Sequence, residues 1–311
     1  MHVLVTGCCG YLGSSLVPRL LAEGHEVTGV DNLEGGAPLT LLAWLYHPRF
    51  SFLRQDVLGL AVSGPLTRAD VIVHLAGVVG APLCERFPER AWKINAVATG
   101  RLVGLLSPRQ KILYAMTNSG YGTTSGKEEC TEESPLEPIS IYGRSKVEGE
   151  KAVLDHPGGV SLRLATVFGT SARMRFDLLV HSFVRALILE GKLTLYEPGF
   201  VRSLIHLQDV CGAFLHHLEP RGAGVWNVAS PTDNLSKGDL ARRICQILGL
   251  DPEGIQVGAG VDPDQRNYRV SSARLLASGF TFRHTLEEGV QSVAVACRCL
   301  PRPLLESLGH G

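Results

Sequence analysis

The sequence predicts an α/β fold built on a doubly wound parallel sheet, and three observations carry that expectation. Short apolar, β-branched runs alternate with helix-like segments through the first half of the chain, a glycine-rich loop follows the first run directly, and an acidic residue closes the second. Runs that are apolar on both faces and alternate with helices imply parallel strands covered by helices on each side.

Taken in order, the strand-like runs are Val3 to Gly7, Glu26 to Val30, Ser51 to Leu53, Val71 to Gly77, Lys111 to Thr117 and Val160 to Ala165. Between them lie LGSSLVPRLLAEG, PERAWKINAVATGRLVGLL and YGRSKVEGEKAVLD, which read as helices. After about residue 165 the pattern loosens, with loops around Thr170 to Arg175 and Glu197 to Val201 and a Pro/Gly/Asp-rich stretch from Asp251 to Asp264. VWNVAS, Val225 to Ser230, reads as a further strand rejoining the first sheet. The expected organisation is a first domain over residues 1–169, rejoined by 201–230, and a smaller mixed α/β region from 170–200 and 231–311.

Composition narrows the function classes. The 311 residues are 45% hydrophobic, enough for a sizeable core, and thirty basic residues balance thirty acidic ones. That balance leaves no global footprint for nucleic acid or an anionic membrane surface. MHVLVTG lacks the charged-then-apolar pattern of a leader, and no run reaches bilayer length, so a soluble cytoplasmic protein is expected. The eight cysteines show no CxxC spacing and no companion histidines, which points to reduced thiols and no metal. His216 and His217 are adjacent and diverge by about 100° on a helix, so they do not converge on an ion.

VTGCCGYLG places Gly7, Gly10 and Gly13 between the first strand and the first helix. A pyrophosphate needs close backbone approach at a helix N-terminus, where free N–H groups and the dipole favour negative charge. Asp31, 18 residues after Gly13, suits hydrogen bonds from the adenosine ribose hydroxyls and opposes a 2′-phosphate. The cofactor expected is therefore NAD. Asp56 and Val57, after the third strand, fall near the adenine.

The remaining chemistry is expected at Thr117, Tyr142 and Lys146. A tyrosine with lysine four residues later arises by chance in roughly one sequence in six of this composition, so spacing alone decides nothing. Pro138 and Ser140 signal a helix start, which puts Tyr142 and Lys146 on one face, and Thr117 ends the fifth strand at the edge where open α/β sheets bind ligands. An ammonium beside the phenol, with the positive nicotinamide, is expected to lower its pKa so that Tyr142 can take the proton of a secondary alcohol.

VTGCCGYLG, Asp31-Asn32-Leu33, HLAG at 74–77, KIN at 93–95, TNSGYG at 117–122, YGRSK at 142–146 and SLIHLQDV at 203–210 resemble the extended short-chain dehydrogenase/reductase family. The resemblance spans essentially the whole chain and implies a Rossmann-type domain holding NAD, a second region holding a nucleoside diphosphate sugar, and a homodimer through helices at about 88–106 and 141–155. It assigns Gly7, Gly10, Tyr11, Leu12 and Gly13 to the pyrophosphate, Asp31 and Asn32 to the ribose, and Leu75, Ala76 and Gly77 to the middle of the cofactor. Asn95 would order the site, and Lys146 would reach the nicotinamide ribose. On the substrate side it implies Arg202 and Arg266 on the diphosphate, Arg173, Arg175 and His181 in the same pocket, and Asn118 and Ser119 after the threonine.

GAPLCERFP, CTEESPLEPISIYG and RLATVFGTSARMRFDLLV resemble a branch that includes GDP-heptose 4-dehydrogenases. Dehydrating members carry Asp-Glu after the threonine, whereas Asn118 and Ser119 can do no acid/base work at neutral pH. The implied reaction is oxidation at C4, ending at a 4-keto sugar or continuing to a 4-epimer.

Overall fold

The computed structural model describes residues 1–307 apart from 36–37, 63, 126–127, 220–221 and 261–265. Among them the strands are β1 (His2–Thr6), β2 (Glu26–Asp31), β3 (Phe50–Arg54), β4 (Val71–His74), β5 (Lys111–Thr117), β6 (Glu129–Cys130), β7 (Gly159–Leu164), β8 (Thr166–Phe168), β9 (Leu193–Leu195), β10 (Val201–His206), β11 (Gly224–Val228), β12 (Asn234–Ser236), β13 (Ile255–Val257) and β14 (Arg269–Val270). Seven form the central sheet in the order β11-β7-β5-β4-β1-β2-β3, every neighbouring pair parallel. The chain builds outward from β1 to β3, then crosses back to β4 on the other side of β1. This is the reversal of strand order at which open α/β sheets leave a crevice beyond their carboxyl ends.

Side-chain alternation sorts the sheet into two cores. Val3 and Val5 face one cluster with Leu16, Val17 and Leu20 of the helix Gly13–Ala22, while Leu4 faces the other with Ile72, Ile112, Tyr114 and Leu102. A third cluster gathers Val180, Val184, Leu240, Ile244, Val290 and Val293 from the helices Leu179–Leu189, Lys237–Leu248 and Leu286–Cys299. The last of these starts at a capping box between Thr285 and Glu288. Fully burying each such aliphatic side chain contributes about 1.5–3 kcal/mol.

In the second half, the helix Leu207–His216 packs Val210, Cys211 and Phe214 into the same cluster as Leu16 and Leu20. β11 pairs with β7, but β10 does not join the central sheet; it pairs parallel with β8 and antiparallel with β12. The cause is local. β7 ends at Leu164 and β8 begins at Thr166, so the chain leaves the central sheet within one residue and takes β10 with it.

Several polar groups are buried in this frame, each with partners. Arg163 on β7 meets Glu150 of the helix Ile141–Leu154 through Nε to Oε1 at 2.9 Å and a second nitrogen to Oε2 at 3.0 Å. Ser161 donates to the same carboxylate at 2.6 Å, and Arg163 donates to the Tyr121 hydroxyl at 2.9 Å. His74 links β1 to the helical segment 88–104 by bonding Thr6 at 2.7 Å and Thr99 at 3.0 Å. Thr99 donates to the Asn95 carbonyl, so it accepts from the His74 Nε2–H, and Nδ1 accepts from Thr6.

His181 lies inside the protein with both ring nitrogens engaged: Nε2 accepts from the Gly169 amide at 2.9 Å and Nδ1 donates to the Arg175 carbonyl at 2.6 Å. This corrects the expectation of a substrate contact, because no ring nitrogen is left to offer one. His206 is likewise buried, stacked on His284 with ring centroids 4.7 Å apart.

Two outcomes are expected. Glu150→Ala strands the Arg163 charge in the core and should cost about 3–5 kcal/mol by urea denaturation, whereas the double replacement Glu150→Leu with Arg163→Met should cost less. A milder effect from the single variant than from the double would contradict the pairing. Loss of solvation also holds His74 down to about 3 and His181 and His206 to about 4, against 6.5 for an ordinary histidine. The unfolded chain then takes up protons first as pH falls, so stability from these residues is full above pH 6.5 and lost as pH falls through about 4 for His181 and His206 and about 3 for His74. Urea midpoints should drop progressively from about pH 7 to about pH 4.5; a flat profile would contradict neutral burial.

Candidate active site

The glycine loop sits at the carboxyl end of β1. Gly7 has φ +69°, and a Cβ there would lie 2.7 Å from the Ala76 amide nitrogen. A Cβ on Gly13 would lie 2.3 Å from the Gly7 carbonyl oxygen, so only glycine lets the helix start this close to the strand. Gly10 closes the turn by donating to the Gly7 carbonyl at 3.1 Å, and Ser14 donates back to Gly10 at 2.9 Å. Among the described residues the amides of Tyr11, Leu12 and Gly13 have no acceptor within the protein. Three unpartnered N–H groups at a helix N-terminus fit a pyrophosphate.

The flanking groups line up with the same ligand. Asp31 accepts from the Cys9 amide through Oδ2 at 2.9 Å and from Leu33 through Oδ1 at 2.8 Å, which holds the carboxylate at the end of β2. Asn32 donates to Asp56 at 2.9 Å, and Asp56 also caps the Leu58 amide at 2.8 Å, with Val57 buried beside it. Leu75 and Ala76 continue from β4 and bond back to Thr6, Leu75 to its carbonyl and Ala76 to its hydroxyl at 3.2 Å. Residues at the carboxyl ends of β1 to β4 thus gather where the strand order reverses, and this set fits NAD.

Asn95 lies in a π-helical turn, Lys93–Ala98, and is fully buried. Its amide brackets Val78, accepting from the amide at 2.8 Å and donating to the carbonyl at 2.9 Å, and it donates to Ser145 at 3.1 Å. Ser145 lies between Tyr142 and Lys146 on the helix Ile141–Leu154, so Asn95 ties that helix to the loop after β4, where Gly77 sits. The helix itself starts at Ser140, whose hydroxyl accepts from the Gly143 amide at 3.1 Å.

Tyr142 faces Thr117 at the carboxyl end of β5. Its phenol is pushed up to about 12, chiefly by lost solvation, with the Thr117 hydrogen bond pulling the other way. Lys146 is 4% exposed, its Nζ lies 3.9 Å from the centre of the Tyr114 ring, and burial lowers its pKa to about 7. Lys146 is not among the charges that reach Tyr142 in the protein alone. The charges that reach Tyr142 and lower it are those of Arg266 and Arg175, and desolvation outweighs them.

The substrate-side residues divide. Arg266 donates to the Ser119 hydroxyl and Arg202 to the Arg266 carbonyl, and Ser119 also accepts from Thr117 at 3.0 Å, so these four converge. Arg175 pairs with Asp177, with Nε to Oδ1 at 3.0 Å, and reaches toward the same centre. Arg173 is spent elsewhere: it donates to the Gly35 carbonyl at 2.9 and 2.7 Å and to the Met174 carbonyl at 2.8 Å, fastening the loop after β8 to the loop after β2. Asn118 is fully buried, and its amide, oriented to satisfy both ends, bonds the Arg163 carbonyl and the Ala165 amide. Neither Arg173 nor Asn118 offers its side chain to a substrate in this arrangement.

The sequence reading missed Glu150, Arg163 and Ser145. Glu150 lies four residues beyond Lys146, as Lys146 lies four beyond Tyr142, so a stripe of three polar residues runs down the packed face of one helix. That stripe was the available signal.

Comparison with known proteins agrees with this site. The chain is 29% identical over 304 residues to UDP-glucuronic acid decarboxylase 6 of Arabidopsis thaliana, covering 93% of this chain and 87% of that protein. It is 28% identical over 265 residues to UDP-glucose 4-epimerase of Mycolicibacterium smegmatis, covering 81% and 84%. Its fold matches the NAD complex of dTDP-glucose 4,6-dehydratase from Bacillus anthracis with a TM-score of 0.83 at 24% identity, covering 99% of each chain. A UDP-glucuronic acid 4-epimerase from Bacillus cereus, in complex with UDP-glucuronic acid and NAD, matches with a TM-score of 0.84 at 22% identity over 96% of this chain and 99% of that one. The profile of the NAD dependent epimerase/dehydratase family matches residues 3–229, and the chain, an NAD-dependent enzyme, belongs to that family.

Proposed function

We propose that the protein oxidises C4 of a nucleoside diphosphate sugar by hydride transfer to NAD, without elimination or decarboxylation. The observation that carries this reading is the environment of Thr117, Asn118 and Ser119. The Asn118 amide is used up between β5 and β7, and the Ser119 hydroxyl is held by Thr117 and Arg266. Neither position holds a group that could protonate a leaving hydroxyl or remove a carbon-bound proton, which leaves Tyr142 as the group placed to exchange a proton with the substrate.

In this reading Thr117 and Tyr142 bind the C4 oxygen together, and Tyr142 removes its proton. Bound in the crevice, NAD supplies the hydride acceptor. Lys146, packed with its Nζ 3.9 Å from the centre of the Tyr114 ring, would donate to the nicotinamide ribose. Arg202 and Arg266 bind the diphosphate, with Arg175 beside them, a task suited to guanidinium forks. The reading takes residues 1–169 with 201–230 as the NAD half, since Val210, Cys211 and Phe214 share a core with Leu16 and Leu20, and 170–200 with 231–311 as the sugar half.

The motif resemblance favours a GDP-heptose and an end at the 4-keto product. A 4-epimerase is the second reading, supported by the UDP-glucose 4-epimerase relative, and it shares the first half-reaction. We infer a homodimer through the segment 88–104 and the helix Ile141–Leu154, which leave Trp92, Val97 and Leu154 exposed. The free, mostly buried thiols suit a reducing cytoplasm.

Incubation with UDP-, GDP-, CDP- and ADP-sugars, followed by NADH absorbance and product stereochemistry, should give a C4-oxidised or C4-inverted sugar with one of them. Tyr142→Phe should lower kcat by about 10²–10⁴ while NAD still binds; unchanged turnover would remove Tyr142 from the chemistry. Light scattering should give twice the chain mass, and a monomer at micromolar concentration would contradict the dimer.

A further inference from the structure

We propose that Cys8, Cys9 and Asp31 form a site for a soft divalent cation of the Zn²⁺ type, and that a cation held there excludes NAD. The two Sγ atoms lie 3.8 Å apart, and each comes within 4.8 Å of the other ligand atoms, a carboxylate oxygen of Asp31 among them. With Zn–S bonds of about 2.3 Å, a tetrahedral ion sets its two thiolates about 3.8 Å apart and a thiolate and carboxylate oxygen about 3.6 Å apart. The sulfurs already stand at that spacing, and the carboxylate has at most about 1.2 Å to close.

The local chemistry agrees. The two sulfurs already face each other, in mutual hydrogen-bond contact. A cation bound as two thiolates displaces one proton from each thiol, which makes binding stronger as pH rises. Two thiolates and one carboxylate form a donor set suited to zinc or cadmium, with the fourth position left for water. Neither CxxC spacing nor a companion histidine marks the cluster in the sequence, because β2 brings Asp31 to the loop from 22 residues away.

The consequence for the cofactor rests on the assignment of NAD to this loop. Asp31 is the carboxylate placed for the adenosine ribose, and its Oδ2 also accepts from the Cys9 amide, which shapes the loop. A cation drawing on Asp31 and both sulfurs uses the same carboxylate and shifts the same turn, so each ligand weakens the other by an equal factor.

The test is titration of the reduced, NAD-free protein with Co²⁺, following thiolate-to-cobalt charge-transfer absorption and proton release. One cation per chain with release of two protons is expected. The absorption should vanish in Cys8→Ala and in Cys9→Ala, and affinity should fall at least tenfold in Asp31→Asn. In the wild-type protein, which needs no variant to fold, NAD should abolish the absorption. At a cation concentration ten times its own Kd, the apparent Kd of NAD should rise about elevenfold. Absent thiolate absorption, or absorption that survives Cys9→Ala, would overturn the site, and absorption untouched by NAD would overturn the exclusion. NAD binding is measured first without any cation; its failure there would count against the cofactor assignment alone and leave the cation site standing.

Discussion

The buried pair between Arg163 and Glu150 is the interaction on which the site's geometry depends. It joins β7 to the helix Ile141–Leu154 two turns below Tyr142, and Arg163 extends the link to Tyr121, which in turn donates to Asn227 of β11 at 2.7 Å. The loop that follows Thr117 is therefore fastened to the same pair that fastens the helix carrying Tyr142 and Lys146. Asn95 holds the opposite side of the helix through Ser145. The helix also runs close to the π-helical turn: a Cβ on Gly149 would lie 2.5 Å from the Asn95 carbonyl oxygen. Between these anchors the helix has little freedom to rotate, and Tyr142 meets Thr117 because of it.

Burial has a price at the centre of the site. Tyr142 is pushed up to about 12 and Lys146 down to about 7, so the protein alone favours the uncharged form of both. Each pKa is displaced chiefly by lost solvation, and the nearby arginine charges are too weak to reverse it for the phenol. The free site thus holds a phenol that keeps its proton and an amine near its midpoint. The positive nicotinamide is the charge that would favour the phenolate, which confines a competent base to the cofactor-bound enzyme.

Much of the frame was legible in the sequence, for reasons that are local. Strand alternation, the steric need for glycine at positions 7 and 13, and the Ser140 cap are each settled by a few consecutive residues. What sequence alone could not show depends on partners far along the chain. Asn118 is spent on Arg163 and Ala165, Arg173 on Gly35, and His181 on Gly169 and Arg175. β10 is not among the strand-like runs of the sequence, and its pairing with β8 outside the central sheet depends on the chain leaving that sheet at Ala165. Residue type at those places suggested ligand contacts, whereas tertiary hydrogen bonds had already claimed the side chains.

On the proposed reading, the site moves a proton and a hydride at one sugar carbon and does nothing further. Mass spectrometry of the product formed from an accepted nucleotide sugar, labelled with deuterium at C4, tests it most directly. The expected product keeps every carbon and oxygen, with the deuterium on the cofactor for a 4-keto sugar or returned to an inverted C4. A product lighter by one water or one carbon dioxide would contradict the account, because Asn118 and Ser119 as they stand here have no means of producing it.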